Sequence, residues 1–311
     1  MERALVTGGT GVTGNALVRV LAAKGVGVTV LLRPGSPRKH YLEGIPGVYA
    51  VDCDMTQYGQ IDSRLRGQRY DAFFHLAWDG SRGKEKTDNR NAFALQARNL
   101  QLSLEAVELC ARLDCPVFLM TGSQAEYGRK DHPIQEEEEK KPENGYGMAK
   151  LCAEGMTRLL CRERGIRHIW PILFSIFGPN DATESLIDTS IRGLLRGQTL
   201  PYTAGEQIWD YLYSCDAAEA LILLAEKGAD GETYNVGSGH QRPLRQYIQE
   251  LYEVLAPDRP PRLGELPYGP NQVMYLAADT EKLHRATGFV PACDFRTGVR
   301  RIAEEIRKEG P

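Results

Sequence analysis

The chain has 311 residues, a formal net charge of -3 and a hydrophobic fraction of 42%. This length predicts one large domain or two fused lobes, and the apolar fraction is sufficient for a buried core. The small negative charge excludes a general affinity for nucleic acid or anionic lipid, and no apolar run reaches the ~18 residues of a membrane-spanning helix.

The cysteines and the N-terminus predict a cytoplasmic location. The seven cysteines are scattered and form no Cys-x-x-Cys pair, which is typical of reduced thiols and not of disulfides or a zinc site. The first three residues lead directly into an apolar segment without the pattern of a signal peptide. We therefore expect a cytoplasmic protein without nucleic-acid partners, membrane partners or a metal site.

The chain begins with a strand, a glycine-rich turn and a helix. Residues 4–7 are apolar, residues 8–14 carry a glycine at every third position, and residues 15–24 have helical periodicity. Glycines let a backbone approach a pyrophosphate closely, and the amides and dipole of the following helix favour an anion. This order predicts a dinucleotide site lined by Gly8, Gly11, Val12, Thr13 and Gly14.

The end of the second predicted strand, residues 28–32, bears on the choice of cofactor. An NAD site would place an acidic residue there to bind the ribose 2′-hydroxyl, whereas this chain has Arg33. An arginine can pair with a 2′-phosphate. The position therefore favours NADP over NAD, and the alternative is that Arg33 is a solvated loop charge.

Two apolar runs predict central strands of a parallel sheet, at residues 72–77 and 116–120. His75 lies inside the first run and is interpreted as a hydrogen-bonded core residue. Trp78 follows the first run and Ser123 follows the second, so both lie at the edge where open α/β sheets bind ligands.

Tyr146 and Lys150 are four residues apart in a predicted helix, residues 146–164, and therefore project from the same helical face. A tyrosine titrates near ~10 in water, which is too high for an efficient acid or base at neutral pH. A cationic lysine favours the phenolate and lowers that pKa. The pair predicts an acid/base site.

The glycine spacing and the Tyr146-x-x-x-Lys150 pair together resemble the extended short-chain dehydrogenase/reductase family. That family includes nucleotide-sugar epimerases, dehydratases and 4-keto-reductases. The resemblance implies a doubly wound parallel sheet, or Rossmann fold, in residues 1–175, to which later strands return. It implies a smaller α/β substrate-binding lobe in residues 176–311.

The resemblance also implies roles for individual residues. Tyr146 would be the acid/base, Lys150 would tune it and bind the nicotinamide ribose, and Ser123 would orient the reacting oxygen. Asp54 would bind the adenine amino group, with Asp52 as the alternative. Further cofactor contacts would come from Met55, Leu76 and Ala77. The family also implies a homodimer that pairs the helices predicted at residues 89–112 and 146–164.

Several positions depart from the family pattern. The 4,6-dehydratases carry Asp-Glu where this chain has Gln124 and Ala125, which argues against dehydration. Ser175 and Ile172 replace an Asn and an Arg that help hold substrate and cofactor, and Trp209 replaces an Arg that grips a pyrophosphate. The candidate substrate-binding residues are Trp78, Gln124, Ser175 and Trp209.

Together these residues predict an enzyme that reduces a nucleotide-linked 4-keto sugar with NADPH. The alternative enzyme is an NAD-dependent nucleotide-sugar 4-epimerase. A non-catalytic binder that senses dinucleotides is a third hypothesis, disfavoured because Tyr146 and Lys150 are both present.

Two polar parts of the chain give structural predictions. Residues 130–141 are predicted to form a solvated acidic loop, and Asp216 is predicted to cap a helix at residues 217–227.

Overall fold

The computed structural model describes residues 1–65, 67–81, 89–181 and 185–309. The strands are β1 (Arg3–Thr7), β2 (Gly27–Leu32), β3 (Val48–Asp52), β4 (Ala72–His75), β5 (Val117–Met120), β6 (Gly122–Ser123), β7 (Arg167–Leu173), β8 (Ser175–Phe177), β9 (Ile208–Trp209), β10 (Tyr211–Tyr213), β11 (Glu232–Val236), β12 (Arg242–Pro243) and β13 (Tyr275–Leu276). The α-helices are α1 (Val12–Ala23), α2 (Asp62–Leu65), α3 (Phe93–Arg112), α4 (Gly145–Arg164), α5 (Leu186–Leu195), α6 (Ser214–Lys227), α7 (Leu244–Leu255), α8 (Glu281–Thr287) and α9 (Phe295–Glu309).

The largest sheet has the strand order β11-β7-β5-β4-β1-β2-β3, with β6 paired to the end of β7. Its pairs are parallel, and Val6 of β1 lies opposite Val30 on one side and Phe74 on the other. The chain proceeds from β1 outward to β3 and then returns to β4 beside β1, which creates a topological switch point. The predicted doubly wound parallel sheet is confirmed.

Each face of this sheet is covered by helices, because its strands are apolar on both sides. Ala4 and Val6 belong to a core that includes residues of α1, α6 and α8, whereas Leu5 between them belongs to a second core with residues of α3 and α4. All three side chains are fully buried. None of the helices in the described ranges is long and apolar enough to cross a membrane.

A third core lies in a smaller unit after β7. It is built from α5, α7 and α9 around Phe177, Ile191, Ile248 and Val299. Two small sheets border it: β8 pairs with β10, and β9 pairs with β12 and β13. Buried Asp210 lies between β9 and β10, and its carboxylate accepts hydrogen bonds from the amide and hydroxyl of Ser238 at 2.8 and 2.5 Å.

Two local predictions about helix starts were wrong. The long helix begins at Phe93 and not at residue 89, because the chain makes a turn closed by the Ala92 amide on the Asn89 carbonyl. Helix α6 begins at Ser214, so Asp216 lies inside its first turn. The Asp216 carboxylate accepts the amides of residues 292 and 293, and thereby ties down the segment before α9.

The acidic loop at residues 130–141 is only partly the solvated turn that was expected: the side chains of Glu137 and Glu139 are 75% and 74% exposed, whereas other parts of the loop are buried. Ile134 is buried and forms a bridge to Ala278, and its amide bonds to the carbonyl of Ala277. Lys140 has a side chain only 12% exposed. The loop packs against the protein because the apolar side chain at 134 gains burial and the charged side chains find partners.

Candidate active site

The predicted site residues lie where the parallel strands end. Gly8 follows β1, Arg33 follows β2, Leu76 follows β4, and Asp54 lies two residues after β3. Ser123 lies three residues after β5. Because the carboxyl ends of parallel strands meet at one edge of a sheet, these residues share that edge, which includes the switch point between β1 and β4.

Two glycines of the first turn are required by the packing of the protein itself. Gly8 has a φ of 70°, and a Cβ there would lie 2.8 Å from the backbone nitrogen of Ala77. A Cβ on Gly14 would lie 2.1 Å from the Gly8 carbonyl oxygen. The turn therefore folds tightly onto itself and onto Leu76 and Ala77, which places both residues beside it.

Gly11 has a more open environment. A Cβ there would meet the Gly8 carbonyl oxygen at an ordinary contact distance of 3.5 Å, and its φ of -81° suits any residue. Gly11 is the N-cap of α1 and contributes no side-chain hydrogen bond to the helix. The first amides of a helix lack acceptors within the helix, and a phosphate is a natural acceptor for them. A pyrophosphate thus fits this turn, and the packing of the protein itself does not require a glycine at position 11.

The next two strand ends offer charged groups to the other half of a dinucleotide. Arg33 is exposed. Asp54 begins a 3₁₀ turn at Met55, and its Oδ1 accepts from the Thr56 amide and hydroxyl at 3.0 and 2.8 Å. The bond from the Thr56 amide holds the pKa of Asp54 below its usual value, and nearby arginines, Arg33 among them, act in the same direction. Asp52 pairs with a neighbouring lysine at 3.8 Å.

The start of α4 brings Tyr146 to the segment that carries Ser123. Asn144 caps the helix by accepting the Gly147 amide at 2.9 Å. A Cβ on Gly147 would lie 2.3 Å from the Ala125 carbonyl oxygen, so the first turn of the helix approaches the backbone after Ser123 very closely. Tyr146 is buried there, with 8% of its surface exposed.

Lys150 lies one helical turn further and is more deeply buried, at 3% exposure. Its Nζ donates a hydrogen bond to the Thr121 carbonyl at 2.8 Å and lies 4.0 Å from the centroid of the Trp78 ring. Burial lowers the pKa of Lys150 to about 7, while the carboxylate of Glu126 acts in the opposite direction. Trp78 also meets the Tyr146 ring edge to face at 6.0 Å, so the indole contacts both predicted catalytic side chains.

Arg90 is a further candidate site residue, which was not predicted from the sequence. Its guanidinium carbon lies 5.1 Å from the centroid of the Tyr146 ring. A cation at this distance favours a phenolate, as Lys150 does. Trp78, which also contacts the Tyr146 ring, is held by a hydrogen bond from its Nε1 to Gln96 Oε1 at 2.9 Å. A lone arginine before a helix carries no sequence signal that would have identified it.

Ser123 combines a structural and a chemical position. It is the N-cap of the 3₁₀ turn Gln124–Glu126, and its Oγ accepts from the Ala125 amide at 3.3 Å. A hydroxyl that accepts one hydrogen bond still has a proton to donate. Capping the turn and orienting a substrate oxygen are therefore compatible functions of the same side chain.

A buried charge cluster, formed by Glu126, Lys140 and Glu154, lies behind Ser123. Glu126 is fully buried and accepts hydrogen bonds from the Ser123 amide at 2.7 Å and from Lys140 Nζ and Trp170 Nε1 at 3.2 Å each. Lys140 also pairs with Glu154. This cluster was not predicted from the sequence. The one available signal was the position of Glu154, four residues after Lys150 on the same helical face.

The remaining candidate substrate residues are spread over neighbouring elements. Gln124 is half-buried in the 3₁₀ turn, and Ser175 begins β8. Ile172 is fully buried in β7. Trp209 is half-buried between the core around α3 and α4 and the core of the smaller unit, and its carbonyl accepts from the Tyr247 hydroxyl at 3.2 Å.

Comparisons with known proteins agree with this architecture. The sequence profile described as the NAD dependent epimerase/dehydratase family matches residues 4–237. A dTDP-glucose 4,6-dehydratase of Neisseria meningitidis serogroup B is 27% identical, with 98% of this chain and 93% of the relative covered. A UDP-glucose 4-epimerase of Azospirillum brasilense is 26% identical, with 97% of this chain and 90% of the relative covered.

Solved structures show the same fold. A UDP-glucose 4-epimerase of Thermotoga maritima, crystallised with UDP-glucose, has a TM-score of 0.83 at 24% identity and covers 99% of both chains. A dTDP-glucose 4,6-dehydratase of Streptomyces venezuelae with bound NAD has a TM-score of 0.83 at 22% identity, covering 98% of this chain and 97% of the other.

Proposed function

The chain belongs to the NAD dependent epimerase/dehydratase family, and on that premise we propose that it reduces a nucleotide-linked 4-keto sugar with NADPH. The observation that carries this proposal is the environment of Lys150. Its ammonium is buried beside Tyr146, against the Thr121 carbonyl and the Trp78 ring, at the sheet edge that holds the glycine turn. A lysine is not buried in this way for stability alone, because burying an ammonium is costly.

Tyr146, Ser123 and Lys150 would each have a separate role in the reduction. A nicotinamide, when bound, supplies the hydride. Tyr146 donates a proton to the ketone oxygen as negative charge develops on it, and Ser123 donates a hydrogen bond to the same oxygen. Lys150 stabilises the phenolate that remains on Tyr146. Burial of Tyr146 and Lys150 strengthens these electrostatic interactions because water screens them less.

Arg33 supports NADPH over NADH. It is exposed at the end of β2, where a 2′-phosphate would lie if the pyrophosphate binds at the first glycine turn. Asp54, with Met55 beside it, is proposed to contact the adenine. Its carboxylate accepts both Thr56 hydrogen bonds at Oδ1.

Gln124 and Ala125 separate this proposal from dehydration. Removal of water from a sugar needs an acid and a base, and neither an amide nor a methyl group can supply them. A 4-epimerase remains the second candidate, because one relative that aligns over most of the chain is named a UDP-glucose 4-epimerase. An epimerase would use the same Tyr146, Lys150 and Ser123.

The substrate lobe, the assembly and the location complete the proposal. We assign cofactor binding mainly to residues 1–175 and substrate binding to residues 176–311, where Ser175 at the boundary and Trp209 are the candidate sugar or base contacts. We also propose a homodimer through the exposed apolar side chains of α3 and α4, and a cytoplasmic location, in which all seven cysteines remain free thiols.

The direct test is to follow nicotinamide absorbance with purified protein and a panel of UDP- and dTDP-linked 4-keto-6-deoxyhexoses. We expect stoichiometric oxidation of NADPH, with NADH much slower. Tyr146→Phe should bind NADPH as the parent does and lose at least about a hundredfold in kcat, since it removes the proton donor.

Tyr70→Phe is the matched control. It removes the hydroxyl of another buried tyrosine, one that bonds to Thr29 Oγ1 at 3.2 Å beside the start of β4, and it should keep the parental kcat. Activity retained by Tyr146→Phe would refute the catalytic assignment. Tightly retained NAD and interconversion of 4-hydroxyl epimers without net oxidation would establish the epimerase instead.

A further inference from the structure

Residues 121–123 position both partners of Tyr146. The Thr121 carbonyl holds the ammonium of Lys150, and Ser123 carries the hydroxyl. The Glu126 carboxylate packs against the back of this segment, where its Oε1 accepts the Ser123 amide at 2.7 Å. A Cβ on Gly122 would lie 2.7 Å from the same oxygen, so the carboxylate occupies the space that any larger residue at this position would need.

Burying the carboxylate of Glu126 behind residues 121–123 costs free energy. It is fully buried, and burial raises its pKa even though Lys140 opposes that rise. Replacing a buried ion pair with well-packed apolar side chains is often neutral or stabilising, so stability alone gives no reason for Glu126 and Lys140 at these two positions. The geometry offers another reason, because the carboxylate contacts the one segment shared by Lys150 and Ser123.

We propose that Glu126 is a positioning residue of the active site. Its carboxylate fixes residues 121–123, so that the Thr121 carbonyl meets Lys150 and Ser123 presents its hydroxyl, and its negative charge favours the ammonium form of Lys150. This inference rests on the proposed catalytic function of Lys150 and Ser123. It assigns to Glu126 an effect on both groups without contact to the substrate.

Other charged groups near Lys150 and Tyr146 also affect the titration of Lys150. On α4, Tyr146 precedes Lys150 by one turn and Glu154 follows it by one turn. Lys140 separates Glu126 from Glu154. Among the residues that the structure describes, His75 on β4, whose burial lowers its pKa to about 3, and Arg90 also face Lys150 or Tyr146. His75 is therefore neutral over the pH range of an assay, so Glu126 is the acidic group that opposes the effect of burial on Lys150.

The direction of the effect follows from the charges. Burial favours the neutral form of Lys150, and the charge of Glu126 favours the ammonium. Removal of that charge should lower the pKa of Lys150, so the alkaline limb of the kcat profile should move to lower pH. A residue with only a structural role would lower the amount of folded protein and leave this limb in place.

The experiment compares Glu126→Gln and Glu126→Leu with the parent protein. In each, the Lys150 side chain is titrated by NMR of the Cε–Nζ group in isotopically labelled lysine, with the resonance assigned by Lys150→Arg. We expect the pKa of Lys150 to fall by about one unit in both variants. NADPH oxidation with the 4-keto-6-deoxyhexose panel should show kcat about tenfold lower for Glu126→Gln and about a hundredfold lower for Glu126→Leu, which also loses the Ser123 bond.

Glu136→Gln is the matched control, since Glu136 is a half-buried glutamate whose carboxylate accepts the backbone amide of Asn235 at 2.7 Å. It should leave both the Lys150 titration and kcat unchanged. If Glu126→Gln does not fold, Glu126→Leu combined with Lys140→Met replaces the buried pair with apolar side chains and carries the same expectations.

The titration and the kinetics separate two kinds of failure. A parent protein without turnover, in which the Lys150 pKa still falls in the variants, would refute the proposed substrate and support the electrostatic role of Glu126. A folded Glu126→Gln protein with an unchanged Lys150 titration and parental kcat would overturn the inference.

Discussion

At the scale of single residues, Lys150 differs from the expectation for a solvated lysine. From the sequence, Lys150 is expected to be a cation that lowers the pKa of Tyr146. Its burial means that it is itself titratable, with a pKa lowered to about 7. Its charge therefore changes with pH near neutrality, and this changes the electrostatic environment of Tyr146 and the stability of the protein.

This burial predicts a pH-dependent difference in stability between the parent and Lys150→Met. The unfolded lysine keeps its ordinary pKa of ~10.4, so between about pH 7 and that value the unfolded state binds more protons than the folded state. The cost of burying Lys150 is therefore complete below pH ~7 and disappears as the pH rises toward ~10.4.

Lys150→Met should accordingly be more stable than the parent near neutral pH, and the advantage should shrink as the pH is raised toward about 9.5. Urea unfolding of both proteins at several pH values measures this difference. Lys282→Met is the control, because Lys282 pairs with Glu232 at 2.8 Å on the surface. An advantage of Lys150→Met that stayed constant with pH would contradict the assigned titration.

At the scale of elements, the site depends on the close contact between the first turn of α4 and the backbone after Ser123. Gly147 makes that contact possible, since a Cβ added at this position would lie 2.3 Å from the Ala125 carbonyl oxygen. Backbone cannot move away as easily as a flexible side chain can. The absence of a side chain at Gly147 thus allows Tyr146 to lie close to Ser123.

Gly147→Ala should therefore destabilise the protein by about 1–3 kcal/mol and reduce kcat, because α4 must shift away from the 3₁₀ turn. Gly155→Ala on the same helix is the control, since a Cβ there would meet nothing within 4 Å. It should stabilise the protein by about 0.8–1.0 kcal/mol through helix propensity. Thermal or urea unfolding measures both, and equal effects of the two substitutions would contradict the packing argument.

At the scale of the whole molecule, α3 and α4 present apolar side chains on their outer surface. Phe93 of α3 is 71% exposed, and Met148, Met156 and Leu159 of α4 are 42–55% exposed. The three residues of α4 are spaced by eight and three positions, which places them along one side of the helix. An exposed stripe of this kind is typical of an interaction surface, and the proposed occupant is the same surface of a second copy.

Met156→Glu and Leu159→Glu should shift the protein from dimer to monomer, because each would bury an unpaired charge in the proposed interface. Light scattering coupled to gel filtration measures the mass, for which the chain contributes 34.6 kDa. Tyr49→Glu is the control, since Tyr49 is 67% exposed on β3, at the edge of the large sheet. A parent protein of monomeric mass would refute the proposed dimer.

Through the family resemblance that its motifs carry, the sequence predicted the doubly wound sheet. By itself it predicted the order of the main strands and helices and the sheet edge at which the candidate site residues lie. It did so because those features depend on local patterns: apolar runs, glycine spacing, and the helical spacing of Tyr146 and Lys150. The predicted start of a helix was less accurate where no capping residue marks it, as at Phe93.

Only the tertiary structure showed which glycines the packing requires and which it does not, and it alone distinguished Gly14 from Gly11. It also decided that Lys140 is buried with Glu126 and Glu154, although a run of charged residues is usually solvated. These outcomes depend on contacts between residues distant in sequence, where the balance of desolvation and pairing is set by neighbours that no local pattern specifies.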